Sequence, residues 1–201
     1  AASLLVDYTL TVAVSISAGV LAITSAFPQL EPYRVEMCLA FLAVLTIGNL
    51  RGIRESGNIF AVPTYFFVFS IALLLLAGLY RYFSGGIVPV EVPLPPNAGP
   101  HPVTTFLLLT AFANGCTAMT GVEAVSNGVP AFHPPEAKNA SATLIAMATL
   151  AIAMFVGITM LAHVYKVVPN AAESGISQLG RAIFGGLNIL YYLLQAGTTF
   201  I

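Results

Sequence analysis

The chain has 201 residues, of which 58% are hydrophobic and only 7% are Asp, Glu, Lys or Arg. Soluble domains carry roughly 25% charged residues, so this composition excludes a soluble globular protein and predicts one that lies in a lipid bilayer. The formal net charge of −1 provides no basic surface for nucleic acid, which we exclude as a partner.

Long uncharged runs mark the predicted membrane helices, because a helix needs about 20 apolar residues to cross the hydrocarbon. Charged or proline-rich connectors separate these runs. The predicted spans cover residues 4–27, 35–50, 57–80, 104–129, 140–165 and 184–201. Residues 84–103 are rich in proline and are predicted to form a loop outside the membrane. A short amphipathic helix is predicted at the surface over residues 176–183.

The predicted class is an all-α integral membrane protein. These runs are continuously apolar, whereas the strands of a membrane β-barrel alternate in polarity over about ten residues. We therefore expect a helical bundle with one transmembrane transporter domain over residues 1–201. The sequence starts at Ala1 without a methionine and stops at Ile201 inside an apolar run, so we expect an internal piece of a longer transporter or channel.

A first group of polar side chains lies in the span over residues 4–27. At about 100° per residue, Asp7, Thr11 and Ser15 fall at roughly 0°, 40° and 80° around a helix, with Tyr8 at roughly 100°. A carboxylate, a phenol and two hydroxyls on one face could bind a cation such as K⁺ or Na⁺, which prefers oxygen ligands. Two other interpretations stay open. Asp7 could extend to the membrane interface, and the hydroxyls could bond their own backbone or a neighbouring helix.

A second group lies in the span over residues 104–129, where many glycines and polar residues predict a discontinuous helix with a break at Gly121. Thr120 and Glu123 are three residues apart and share a face. Many secondary transporters build ion and substrate sites from such broken helices. A buried carboxyl group can also take up a proton and couple transport to a proton gradient. Alternatively, a protonated Glu123 could simply hold two helices together.

Enzyme chemistry has no support in this sequence. We find no nucleophile–base arrangement, no phosphate-binding glycine loop, no haem motif and no spacing of histidines or cysteines that suggests a transition-metal site. The sequence therefore predicts no catalytic residues and no cofactor.

Four stretches of the sequence form a set of familiar motifs. They are residues 7–15 (DYTLTVAVS), 49–52 (NLRG), 120–124 (TGVEA) and 127–132 (NGVPAF). Together they resemble the amino acid–polyamine–organocation (APC) superfamily of transporters. Within it, the chain most resembles the KUP/KimA-type proton-coupled potassium importers, over essentially its whole length.

This resemblance implies a LeuT-like fold of inverted repeats, of which the chain would supply about core helices three to eight of ten. It implies import of K⁺ together with H⁺ by a multi-pass protein of the plasma or inner membrane. The positions expected to line the potassium path are Asp7, Tyr8, Thr11, Ser15, Thr120 and Glu123. A homodimer of the longer protein is a further expectation.

Other functions stay open on the sequence alone. Gly-x-Glu is shared with amino acid permeases, so proton-coupled uptake of an amino acid is the main alternative. Remoter alternatives are a channel and a non-transporting membrane scaffold. A channel needs a continuous pore lining, often built by oligomer symmetry, whereas the polar residues here cluster in two helices.

Overall fold

The computed structural model describes residues 2–50, 57–90, 103–116, 120–168 and 172–201. Within these ranges the secondary structure is entirely helical. The helices are α1 (Ala2–Ala26), α2 (Arg34–Leu50), α3 (Gly57–Phe83), α4 (Thr105–Cys116), α5 (Thr120–Asn127), α6 (Glu136–Val164), α7 (Gly175–Phe184) and α8 (Ile189–Phe200). The described part of the chain confirms the predicted all-α class.

Among the residues that the structure describes, three helices contain stretches long and apolar enough to cross a membrane. These stretches are Leu5–Ala26, Ala61–Phe83 and Glu136–Val164. The predicted span over 35–50 corresponds to α2, whose 17 residues extend about 25 Å, less than the roughly 30 Å of a hydrocarbon core. Of the predicted loop over 84–103, residues 91–102 lie outside the described residues.

One predicted span differs from the observed helices, and another is only partly described. Of the span over 104–129, the structure describes α4 (Thr105–Cys116) and α5 (Thr120–Asn127), and residues 117–119 lie outside the described residues. The span over 184–201 starts later than predicted, because Phe184 is the last residue of α7. Gly185 follows with a left-handed φ of 82° that ends α7. Asn188 then caps α8, accepting a hydrogen bond from the Tyr191 amide at 3.1 Å.

Residues 1–92 and 158–201 form one compact unit, and residues 93–157 form another. In the first unit, α8 packs against α1, α3 and α7, and α7 also packs against α3. The buried apolar core of this unit comes from these helices and from the end of α6. It comprises Val20, Ala22, Ala26, Ile71, Leu74, Leu161, Tyr165, Leu179, Ile183, Tyr191 and Leu194.

Small residues allow the helices of the first unit to approach closely. A Cβ added at Gly78 of α3 would lie 2.6 Å from the Leu161 side chain and 2.9 Å from that of Ile183. Likewise, a Cβ at Gly180 of α7 would lie 2.7 Å from Leu194. Close approach through glycine is typical of membrane helix contacts.

The helix α7 corresponds to the short helix predicted over 176–183, but one of its faces is buried rather than lying at a surface. The buried residues are Ser177, Gln178, Leu179, Gly180 and Ile183. Two of them are polar, and each forms at least one hydrogen bond, although Oε1 of Gln178 has no partner in the described ranges. Gln178 donates to the Val168 carbonyl at 2.9 Å, and Ser177 donates to the Glu173 carboxylate at 2.7 Å.

Candidate functional site

The polar side chains predicted on the first helix lie on one face of α1. The helix is continuous over Ala2–Ala26, so the expected spacing of Asp7, Thr11 and Ser15 holds in the structure. Asp7 and Thr11 are half-buried, Ser15 is exposed, and Tyr8 is 48% exposed. We call Asp7, Tyr8, Thr11 and Ser15 the α1 stripe.

The hydroxyls of α1 fall into two groups by their hydrogen bonds. Thr9 donates to the Leu5 carbonyl at 2.7 Å, and Ser17 donates to the Ala13 carbonyl at 2.8 Å. By contrast, no side chain of the α1 stripe has a hydrogen-bond partner among the described residues. Hydrogen bonding of a hydroxyl to the backbone of its own helix therefore occurs at Thr9 and Ser17. Among the described residues it does not occur within the α1 stripe.

An apolar groove runs along the opposite side of α1, between this helix and α2. Its volume is about 520 Å³. Leu5, Val12 and Ile16 line it, and they lie about 140–180° around the helix from Asp7. Cys38 and Leu42 line it from α2. The α1 stripe, apart from Tyr8 at its edge, therefore faces away from α2.

The second predicted group lies on α5, in the other compact unit. Glu123 is half-buried, and its Oε1 atom lies 3.5 Å from Nδ2 of Asn127 one turn later. This distance makes the contact weak. Thr120 is the first residue of α5, and its side chain lies outside the described part of the structure.

Gly121 is predicted to break the helix, whereas the structure describes it within α5. Gly121 is the second residue of α5, and residues 117–119 before this helix lie outside the described residues. A Cβ at Gly121 would lie 3.2 Å from the Met147 side chain of α6. The physical role of this glycine is therefore close contact with a neighbouring helix.

The structure thus brings four of the six predicted residues onto one helix face and describes the other two on α5. Over the residues that the structure describes, no three His, Cys, Asp or Glu side chains are grouped as metal ligands would be. The oxygen-rich α1 stripe is the described feature best suited to an alkali cation.

Sequence reasoning missed several buried polar residues at the contacts of α1, α7 and α8. Tyr191 donates to the Ser25 carbonyl at 3.0 Å, and its hydroxyl lies 2.7 Å from that of Ser177. Gln195 is also buried. A signal was present for Gln195, since it is an amide within the apolar run Leu190–Ala196.

Comparison with known proteins defines the class. A family model described as amino acid permease matches residues 1–199, and the chain belongs to this family. The resemblance to the APC superfamily is thereby confirmed.

One curated relative is the potassium transporter KimA of Bacillus subtilis (strain 168), which is 47% identical over 202 residues. The match covers 99% of this chain and 33% of the relative. The chain therefore spans about a third of the length of that transporter.

Proposed function

We propose that this chain is part of a proton-coupled potassium importer and that the α1 stripe supplies one side of its cation site. In this proposal the Asp7 carboxylate balances the charge of K⁺. The oxygens of Tyr8, Thr11 and Ser15 replace part of its hydration shell, as oxygen ligands do in other potassium sites. The protein would be a multi-pass component of the cell membrane.

The observation that carries the proposal is the state of the hydroxyls on α1. Thr9 and Ser17 use their hydrogen bonds within the helix, whereas Thr11 and Ser15 have no partner in the described ranges and can bind a ligand. An aligned carboxylate adds the negative charge that a cation requires. The similarity to a protein named as a potassium transporter supports K⁺ as the cation.

Glu123 is the second carboxyl group of the proposed machinery. It lies in the first turn of α5, and its one hydrogen-bond contact among the described residues is the weak one with Asn127. A carboxyl group so weakly paired can exchange a proton or a cation without first breaking a strong interaction. We assign it to the coupling of transport to protons or to the cation itself.

The experiment measures Rb⁺ influx into cells that lack their own potassium uptake and express the full-length parent protein. We expect influx that depends on the proton gradient. Asp7→Asn and Glu123→Gln should each lower it by about tenfold or more, because a lost contact to a charged group costs roughly 1.5–3 kcal/mol.

The matched control is Glu36→Gln. Glu36 is an exposed carboxylate in the first turn of α2, so its neutralisation should leave influx unchanged. If wild-type protein reaches the membrane in normal amounts and carries no Rb⁺, the potassium proposal fails.

A second candidate, proton-coupled amino acid uptake, is favoured by the family model itself. Influx of labelled amino acids into the same cells distinguishes the two. Amino acid influx without Rb⁺ influx would replace the first proposal with the second. Retention of that influx in Asp7→Asn would show that the α1 stripe is not part of the substrate site.

A further inference from the structure

Gln195 of α8 is buried without hydrogen-bond partners. The residue is 2% exposed, and neither Oε1 nor Nε2 of its amide bonds to another group in the described ranges. Gln178 of α7 is equally buried, but its amide nitrogen donates to the Val168 carbonyl at 2.9 Å. Burying an amide whose oxygen and nitrogen are both unpaired costs stability. A functional role would explain why a glutamine is present at this position.

The position of Gln195 follows from its neighbours one turn away on α8. Four residues earlier, Tyr191 reaches the Ser25 carbonyl of α1. Four residues later, the carbonyl of Thr199 lies 3.3 Å from where a Cβ of Gly19 would be. Residues four apart share a helix face, so Gln195 belongs to the row of α8 that faces α1.

The facing part of α1 has no side chain to pair with this amide. The two contacts above show that α1 and α8 run antiparallel, which sets Gln195 roughly level with Ala22, a fully buried alanine. The nearby hydroxyls of Thr24 and Ser25 both donate to the Leu21 carbonyl. Their hydrogens are therefore already used within α1.

This face of α1 is continuous with the α1 stripe. With Asp7 at 0°, Ser15 lies at about 80°, Gly19 at about 120° and Ala22 at about 60° around the helix. The rise from Ser15 to Ala22 is about 10 Å. Gln195 is thus the next polar side chain along the same face, where α8 closes over α1.

We propose that Gln195 is a further residue of the cation path and binds the cation through its amide oxygen when α1 and α8 separate. The inference rests on the proposed function, because it requires that a cation moves along the α1 stripe. A neutral amide oxygen can replace a water ligand of K⁺, as carbonyl oxygens do. The residue then contributes to affinity at the cost of stability in the closed state.

The test uses the full-length parent protein with Gln195→Leu and Gln195→Met. Both variants remove the unpaired polar atoms and keep a side chain of similar size. We expect an unchanged or higher Tm in detergent. The KM for Rb⁺ influx should rise about fivefold, as expected for losing one neutral polar contact.

Thr198→Val is the matched control on α8. The Thr198 hydroxyl donates to the Leu194 carbonyl at 2.9 Å, so its removal should leave the KM unchanged. Two variants are used at position 195 because one of them could pack poorly for reasons unrelated to the amide. Each must be present in the membrane in wild-type amounts.

Two outcomes overturn the inference while leaving the potassium proposal intact, provided that wild-type influx is lost in Asp7→Asn. One is an unchanged KM and maximal rate in both Gln195 variants. The other is a lower Tm in both, which would mean that the amide is paired within the fold and is structural. Absence of Rb⁺ influx in the wild-type protein would overturn both proposals together.

Discussion

The hydroxyl oxygens of Ser177 and Tyr191 lie 2.7 Å apart in the buried contact between α7 and α8. The contact is part of a longer chain of hydrogen bonds. The Tyr191 hydroxyl also lies 3.0 Å from the Ser25 carbonyl at the end of α1, and the Ser177 hydroxyl lies 2.7 Å from the Glu173 carboxylate. Each hydroxyl has one hydrogen, so the two hydroxyls share two hydrogens among these three contacts. Glu173 in turn pairs with Arg181. This chain joins the ends of three helices, and it explains how polar residues of α7 can be buried.

Tyr191→Phe should destabilise the protein by about 1–3 kcal/mol, because it leaves the buried Ser177 hydroxyl and the Ser25 carbonyl with fewer partners. Because Phe retains the ring, the decrease in stability measures the contribution of the Tyr191 hydroxyl alone. The measurement is the shift in Tm of the purified full-length parent protein.

Tyr192→Phe is the control for this substitution. Tyr192 is exposed, and its ring stacks on that of Phe27 at 5.7 Å between centroids. Loss of its hydroxyl preserves this stack, and we expect no shift in Tm. Equal shifts in the two variants would contradict a specific role for the Ser177–Tyr191 contact.

Gly78→Ala should also lower the Tm. The added Cβ would meet the Leu161 and Ile183 side chains at 2.6 and 2.9 Å, and both are fixed in the buried core. Overpacking of this kind costs about 1–3 kcal/mol, of which roughly 1 kcal/mol is offset by the better helix propensity of alanine.

The contrasting variant is Gly115→Ala in α4. A Cβ there would have no other heavy atom within 4 Å among the described residues, so the Tm should stay the same or rise slightly. If Gly78→Ala were as neutral as Gly115→Ala, the close contact of α3 with the ends of α6 and α7 would not hold in solution.

Much of the fold could be predicted because charge spacing and helix period act locally. The uncharged run over 140–165 predicted α6 within four residues of its observed start at Glu136. The face shared by Asp7, Thr11 and Ser15 follows from the helix period alone. No knowledge of neighbouring helices was needed for either prediction.

The rest depends on contacts that a single sequence does not reveal. The turn at Gly185 ends α7 within a stretch that is apolar overall. Hydropathy does not reveal this turn, so the predicted span over 184–201 included Phe184, which belongs to α7. Glycines and polar residues around position 121 predict a helix break, but Gly121 lies within α5 and packs closely against the Met147 side chain. The sequence marks Gln195 as polar, and only the packing of α8 on α1 shows that its amide is buried and unpaired.

Asn188→Ala should loosen the connection between α7 and α8. The Asn188 side chain accepts from the Tyr191 amide at 3.1 Å and donates to the Phe184 carbonyl at 2.6 Å. Loss of an N-cap costs about 0.5–2 kcal/mol, and here a second bond is lost with it. We expect a lower Tm and faster proteolysis near residues 185–188. Asn188→Asp keeps the capping oxygen but cannot donate to the Phe184 carbonyl, so it should recover only the capping part of the loss.

Two pairs of substitutions on α1 test whether the availability of a hydroxyl, rather than its presence, matters for transport. Thr11→Val and Ser15→Ala remove hydroxyls that have no partner in the described structure. Each should raise the KM for Rb⁺ influx about threefold to tenfold, the range expected for one neutral oxygen contact.

Thr9→Val and Ser17→Ala make the same chemical changes two residues away, where the hydroxyls bond the Leu5 and Ala13 carbonyls. These positions border the apolar groove with α2, so their KM values should match the wild type. An equal effect in both pairs would mean that the substitutions disturb α1 as a whole. No effect in either pair would remove the Thr11 and Ser15 hydroxyls from the cation site and leave Asp7 and Tyr8 as its members on this helix.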